Sequence, residues 1–149
     1  MKHHIIITRK AFHTIRKDVF LADNNFEIGG VLIGYQLIWI HIIVAVTTPN
    51  KNKCKSRISF LLDGAEHMQK ANNIISSYMC SPTLLGIWHS HICDGHKFSK
   101  QDIYSNRILA KSLGGALSML VTKHVHTLAL SVSHISISGN ESDCAIIVL

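Results

Sequence analysis

The sequence predicts one α/β (or α+β) domain in which three helices are interspersed among about six strands. Three observations carry that expectation. Apolar residues recur at helical spacing in three stretches, from Phe12 to Phe20, from Met68 to Met79 and from Ile103 to Leu109. Runs that alternate or stay continuously apolar lie between them, as strands require. The composition, 47% hydrophobic and 16% charged, is that of a globular chain rather than a disordered one. A chain of 149 residues is long enough for one domain that buries about two-thirds of its unfolded surface. No linker, internal repeat or low-complexity segment interrupts it.

Ile5 to Ile7 reads as a short first strand, and Thr8 as the cap of an amphipathic helix to about Ala22, stopped at Asp23-Asn24-Asn25. Glu27 then precedes Gly29-Gly30 and the strand that follows, where the glycines permit a close backbone approach. After a turn near Tyr35, Leu37 to Val46 reads as a strand buried on both faces. Pro49 to Lys55 is a basic loop and Ile58 to Leu62 a further strand. Asp63 with Glu66 forms a capping-box pattern ahead of a helix whose core stripe is Met68, Ala71, Ile75 and Met79. Leu84 to His91 is the next strand, and Cys93 to Phe98 a loop. A helix follows from Ser99 to Gly114-Gly115, with Ile103, Tyr104, Ile108 and Leu109 as its apolar residues. Strands over Ala116 to Thr122, Thr127 to Ile137 and Ala145 to Leu149 complete the chain.

The formal net charge is +6, from 15 Lys and Arg against 9 Asp and Glu. Lys51, Lys53, Lys55 and Arg57 form the one dense basic group, without the interleaved aromatics of a nucleic-acid surface. It reads as a solvated loop, and nucleic acid is not an expected partner, although a basic surface also suits an acidic protein. Cys54, Cys80, Cys93 and Cys144 are widely spaced, with no C-x-x-C pair, which argues against a disulfide framework and a cysteine-built zinc knuckle. The first apolar run is too short for a secretory signal. The longest, Leu37 to Val46, is about half a membrane span and is interrupted by His41. A reducing, cytoplasmic setting without membrane attachment is expected.

The chemistry concentrates in one stretch. His89 and His91 are one residue apart, so a strand presents both imidazoles on one side. Seven residues later comes Ser99, and two more residues separate it from Asp102, where the pattern turns helical. Taken singly, an H-x-H pair in a chain with 11 His is weak, and Ser99 with Asp102 is an ordinary helix cap. Strand-borne imidazoles together with a helix-start carboxylate have no shared structural motive. Two imidazoles and one carboxylate, with a fourth position open to water, make up a hydrolytic zinc centre.

These residues resemble the JAMM (JAB/MPN-plus) metalloprotease signature: Glu27 in an E-x-G-G-x-L-x-G context, the pair His89 and His91 after Gly86 and Trp88, then Ser99 and Asp102. The resemblance implies a single MPN/JAB cytidine-deaminase-like domain over residues 1–149, a mixed β-sheet flanked by about three helices. It implies one zinc ion per chain on His89, His91 and Asp102, with Glu27 as the base that handles the proton of the attacking water. Ser99 is implied as the donor to the developing oxyanion, and Ser90 as a structural residue on the opposite strand face. The loop departs from the family: Ile92 stands where many relatives have Pro. Asp94-Gly95 reads as turn chemistry and His96 as a surface residue, while a Cys93 thiolate would be able to take the open position.

Family members cut isopeptide or peptide bonds after the C-terminal tail of ubiquitin or a ubiquitin-like protein. The resemblance therefore implies a deconjugating or maturing isopeptidase, with a modifier or its conjugate as substrate and the tail added as a strand beside the sheet. The bare domain is similar to stand-alone prokaryotic members, including those encoded beside modifier-activating and conjugating enzymes in anti-phage operons such as CBASS. Three alternatives stand beside it: a peptidase that trims a sulfur-carrier protein, a non-catalytic MPN scaffold, and a DNA-associated role like that of RadC-like relatives with a similar motif, for which the basic loop is weak support. Scaffolds typically lose ligands, and this chain has lost none.

Overall fold

A computed structural model describes residues 2–22, 26–49, 64–91 and 97–149. Along the chain it places β1 (His3–Ile7), α1 (Arg9–Leu21), β2 (Gly29–Gln36), β3 (Ile40–Val46) and α2 (Gly64–Ser76). There follow β4 (Thr83–His91), α3 (Lys100–Leu113), β5 (Ala116–Lys123), β6 (Leu128–Ile135) and β7 (Glu141–Val148). The strands close into a barrel in the order β1-β3-β2-β4-β5-β6-β7. Closure comes from β1, which pairs in parallel with β3 on one side and with β7 on the other.

That barrel overturns the expected architecture. The chain is mostly sheet and closed, with three short helices, and not an MPN/JAB cytidine-deaminase-like mixed sheet flanked by helices. Closure joins the first strand to the last, and hydrophobic periodicity, which reports only local structure, carries no signal for it. One consequence touches the substrate. A closed barrel offers no free strand edge, so a modifier tail adding as an extra strand does not fit the described strands.

The first helix begins where Thr8 Oγ accepts the Ala11 N–H, and α3 begins at Ser99 and ends on Gly114, a left-handed position (φ 77°) that favours glycine. Some expected faces differ. The apolar tip Leu37-Ile38-Trp39 is exposed, and β3 alternates rather than being buried on both faces. Met79 is fully exposed beyond α2, whose buried residues are His67 and Ala71. On α3, Tyr104 and Ile108 face solvent while Asn106 is buried, its amide donating to Ser118 Oγ at 2.7 Å. The expected strand over Ile58 to Leu62, the Asp63 cap and the stop at Asp23-Asn24-Asn25 lie outside the described residues.

The main core joins the barrel interior (Ile5, Ile7, Leu32, Ile43, Leu85, Trp88, Leu117, Met119) to Ile15 and Val19 of α1. A second cluster, Val31, Ile33 and Ile87 with Ala71 and Ile74 of α2, covers the outer face of β2 and β4. One irregularity decides what the next residues do. Leu85 is an extra residue in β4, since Leu32 pairs with Gly86 while Ile33 pairs with Leu84. A Cβ at Gly86 (φ 154°) would lie 1.9 Å from the Leu117 carbonyl oxygen, so only glycine fits at this bulge. Beyond it, Ile87 packs outside although Leu85 packs inside. His89 and His91, in phase with Ile87, therefore face the helix-covered outer side and not the barrel interior.

Candidate metal centre

On that outer face, β4 ends with His89 and His91 just where α3 begins. Their Nε2 atoms are 3.2 Å apart. Asp102 reaches both: Oδ1 lies 3.5 Å from His89 Nε2, and Oδ2 lies 3.5 Å from His91 Nε2. Zinc–ligand bonds of about 2.0–2.1 Å set the ligand atoms of a tetrahedral site about 3.3–3.4 Å apart. The His89–His91 edge is close to that length, while the two Asp102 distances end on different oxygens. With one ligand atom taken from each residue, all three lie within 4.8 Å of one another, so the group is able to hold a metal ion. All three side chains are half-buried, and the Phe98 ring stands 6.0 Å from the His89 ring.

Asp102 is held by the cap of its own helix. Its Oδ2 accepts the Ser99 N–H at 2.7 Å, and Ser99 Oγ accepts the Asp102 N–H at 3.1 Å, a reciprocal capping box. Burial alone would raise its carboxyl pKa. Hydrogen bonds from His89 and Ser99, with the His89 charge, outweigh burial and hold it well below the usual carboxylate range. It is thus the anionic member of the group. Ser99 thus serves Asp102 with its backbone N–H, its side chain and the capping bond that its Oγ accepts.

Glu27 precedes the β2–β4 ladder, which begins at Gly29. Gly29 pairs with His89, and a Cβ on Gly29 would meet His89 Cβ at 3.1 Å and the Trp88 carbonyl oxygen at 2.5 Å, so the glycine lets the two strands close over the first histidine. Pairing runs one residue further: Ser90 N donates to Ile28 O at 2.7 Å, and Ile28 N donates to Ser90 Oγ at 3.0 Å. β2 itself begins at Gly29, so Glu27 lies two residues outside the paired strand. Glu27 is half-buried, and among the described residues its carboxylate has no hydrogen bond or ion pair. Ser90 is the residue that anchors the chain beside it. Cys93, Asp94 and His96 lie outside the described residues.

A second group of ligand-type side chains was not anticipated from sequence. His3, His41 and His134 also place one nitrogen each within 4.8 Å of one another. Two groups of described residues are thus able to hold a metal ion. The signal available in sequence was phase alone, since His3 shares its period with Ile5 and Ile7, His41 with Ile43, and His134 with Val132.

Fold and site together define a closed mixed β-barrel with a ligand triad at the junction of a strand and a capped helix. No protein-family model matches the chain, and no curated protein matches it. Among solved structures it is similar to the solution structure of protein DSY2949 from Desulfitobacterium hafniense, a structural genomics target. The TM-score is 0.61 and the sequence identity 16%, covering 97% of this chain and 92% of that one. At that identity the likeness speaks for the fold alone. No helix among the described residues is long and apolar enough to cross a membrane.

Proposed function

We propose that this protein is a zinc-dependent peptidase of the JAMM type in its chemistry, cleaving after the C-terminal tail of a ubiquitin-like protein. One observation carries the reading: two strand imidazoles, 3.2 Å apart at Nε2, each facing one oxygen of a helix-start carboxylate at 3.5 Å. The constellation supports it, not the barrel. His89, His91 and Asp102 would hold one zinc ion, which when bound supplies Lewis acidity and lowers the pKa of water at its open position toward neutrality. The Glu27 carboxylate accepts the proton of the attacking water and delivers it to the leaving amine nitrogen. Ser99 turns its O–H from Asp102 to the carbonyl oxygen as charge develops there. With no free strand edge for the tail, its glycines serve close backbone approach to the cleft between the Glu27 segment and the α3 start. The working setting is a reducing cytoplasm, with modifier-activating and conjugating enzymes as the expected neighbours in an antiviral operon.

The test is cleavage of ubiquitin-like protein fusions by zinc-loaded protein, with phenanthroline abolishing turnover. Glu27→Gln is expected to keep its zinc and to lower kcat by about 100- to 10,000-fold, the range for a positioned base. Undiminished turnover by Glu27→Gln removes the assigned base. Stoichiometric zinc with no cleavage of any fusion favours the scaffold alternative.

A further inference from the structure

At one end of the barrel, three histidines from non-neighbouring parts of the sequence form a layer. His3 of β1 and His41 of β3 are 7% and 2% exposed, and His134 of β6 is half-buried beside them. His3 Nδ1 lies 3.0 Å from His41 Nε2. The His3 and His134 rings stack with centroids 3.9 Å apart and an interplanar angle of 15°. Trp39 meets His3 edge-on at 5.2 Å, closing the layer on one side.

Protein hydrogen bonds do not account for this arrangement. Three neutral imidazoles carry three N–H donors and three acceptor lone pairs, and one contact between them satisfies a single pair. His41 Nδ1 is buried with no hydrogen-bond partner among the described residues. A buried polar atom left so is costly, where an Ile would fill the space without that cost, while the ring's other nitrogen, Nε2, is the one that meets His3.

We propose that His3, His41 and His134 form a second metal site, taking a divalent transition ion of the zinc class through three neutral imidazoles. It is separate from the outer-face centre, because its side chains point into the barrel while His89 and His91 point out of it. Imidazole donors suit zinc, nickel and copper rather than calcium or magnesium. The His3–His41 edge is already near a tetrahedral edge, and a modest rotation of the least buried ring, His134, completes the triangle. The histidines are in the ligating form near neutral pH: burial first, then the neighbouring imidazoles, lower His41 to about 4, and burial lowers His3 and His134 as well. Cys144 sits beside His3 in the β1–β7 register, but its thiol points to the Ser142 carbonyl at 3.7 Å, and only the three imidazoles bring ligand atoms within 4.8 Å of one another. The donor set is therefore nitrogen only. Bound there, an ion ties β1 and β3 to β6 across the barrel mouth, over the one strand, β7, that separates β1 from β6.

The experiment counts zinc retained after dialysis of EDTA-stripped, reloaded full-length chains. Wild type is expected to keep about two ions per chain, and the His89→Ala/His91→Ala variant about one. Adding His134→Gln to that pair should remove the remaining ion, with His3→Gln as the substitute should His134→Gln fail to fold by circular dichroism. Zinc should also raise the melting temperature of His89→Ala/His91→Ala by roughly 5–10 °C at 100 times the dissociation constant. In the wild-type chain, the ring NMR signals of His3, His41 and His134 should shift on titration with zinc. A His89→Ala/His91→Ala protein that retains no zinc and gains no stability overturns the site. So does an ion that survives His134→Gln or His3→Gln in a folded protein.

Discussion

Asp102→Asn is expected to strip the outer-face centre of its zinc while leaving the barrel folded. The wild-type carboxylate does two jobs with two oxygens. Oδ2 accepts the Ser99 N–H at 2.7 Å, and the two oxygens face His91 and His89 at 3.5 Å each. Asparagine keeps one acceptor, enough for the cap, and loses the negative charge that two neutral imidazoles cannot replace. Zinc affinity should fall by at least about 100-fold, some 2.7 kcal/mol. The metal-free protein should lose much less. Removing a first-turn charge costs about 0.3–1 kcal/mol against the helix dipole, and the capping bond survives through the remaining oxygen. A zinc competition titration beside urea unfolding of stripped protein separates the two effects. If zinc affinity holds and only helix stability drops, Asp102 is a cap that happens to lie near two histidines, and the hydrolase reading loses its carrying observation.

The site was legible in the sequence because most of it is local. His89, His91, Ser99 and Asp102 fall within one strand, one loop and one helix start, where strand alternation and capping preferences suffice to bring them together. Glu27 is different: it lies before β2, no described hydrogen bond or ion pair joins it to the histidines or Asp102, and its role rests on the resemblance. The architecture was less legible for the opposite reason. Parallel pairing of β1 with β7 joins the ends of the chain, and no residue near either end announces it. Nor does any local pattern reveal the extra Leu85, although that bulge decides that the histidines face outward. Apolarity also misled along the helices. Tyr104 and Ile108 read as core but face solvent, while Asn106 is buried through its bond to Ser118. The interior histidines were overlooked because His41 read as an interruption of an apolar run. In the barrel it is one corner of a layer.

Gly30→Ala is expected to be among the most damaging single substitutions in the chain. A Cβ there would lie 1.8 Å from the Thr47 carbonyl oxygen, 2.7 Å from the Thr47 carbonyl carbon and 2.8 Å from Trp88 Nε1. None of these can give way cheaply. Trp88 is 0% exposed and donates to that same Thr47 oxygen at 3.0 Å. Thr47 is in turn fixed from both sides, its N–H donating to Val31 O at 3.1 Å and its Oγ accepting the Val31 N–H at 2.9 Å. One methyl group therefore has to part β2 from the end of β3 or expel a buried tryptophan. A cost of about 3 kcal/mol or more follows, a large share of the 5–15 kcal/mol that holds an ordinary domain together. The melting temperature should drop by roughly 6–12 °C in a domain this size. Gly64→Ala is the control, since a Cβ at Gly64 meets nothing within 4 Å and should change little. Because Gly29 follows on the same displaced strand and pairs with His89, any Gly30→Ala protein that still folds should also shift His89, and zinc content should fall with the melting temperature. A melting temperature within about 2 °C of wild type would mean that the strands open at this point without resistance, and the glycine pair would then not be what sets the spacing of the site.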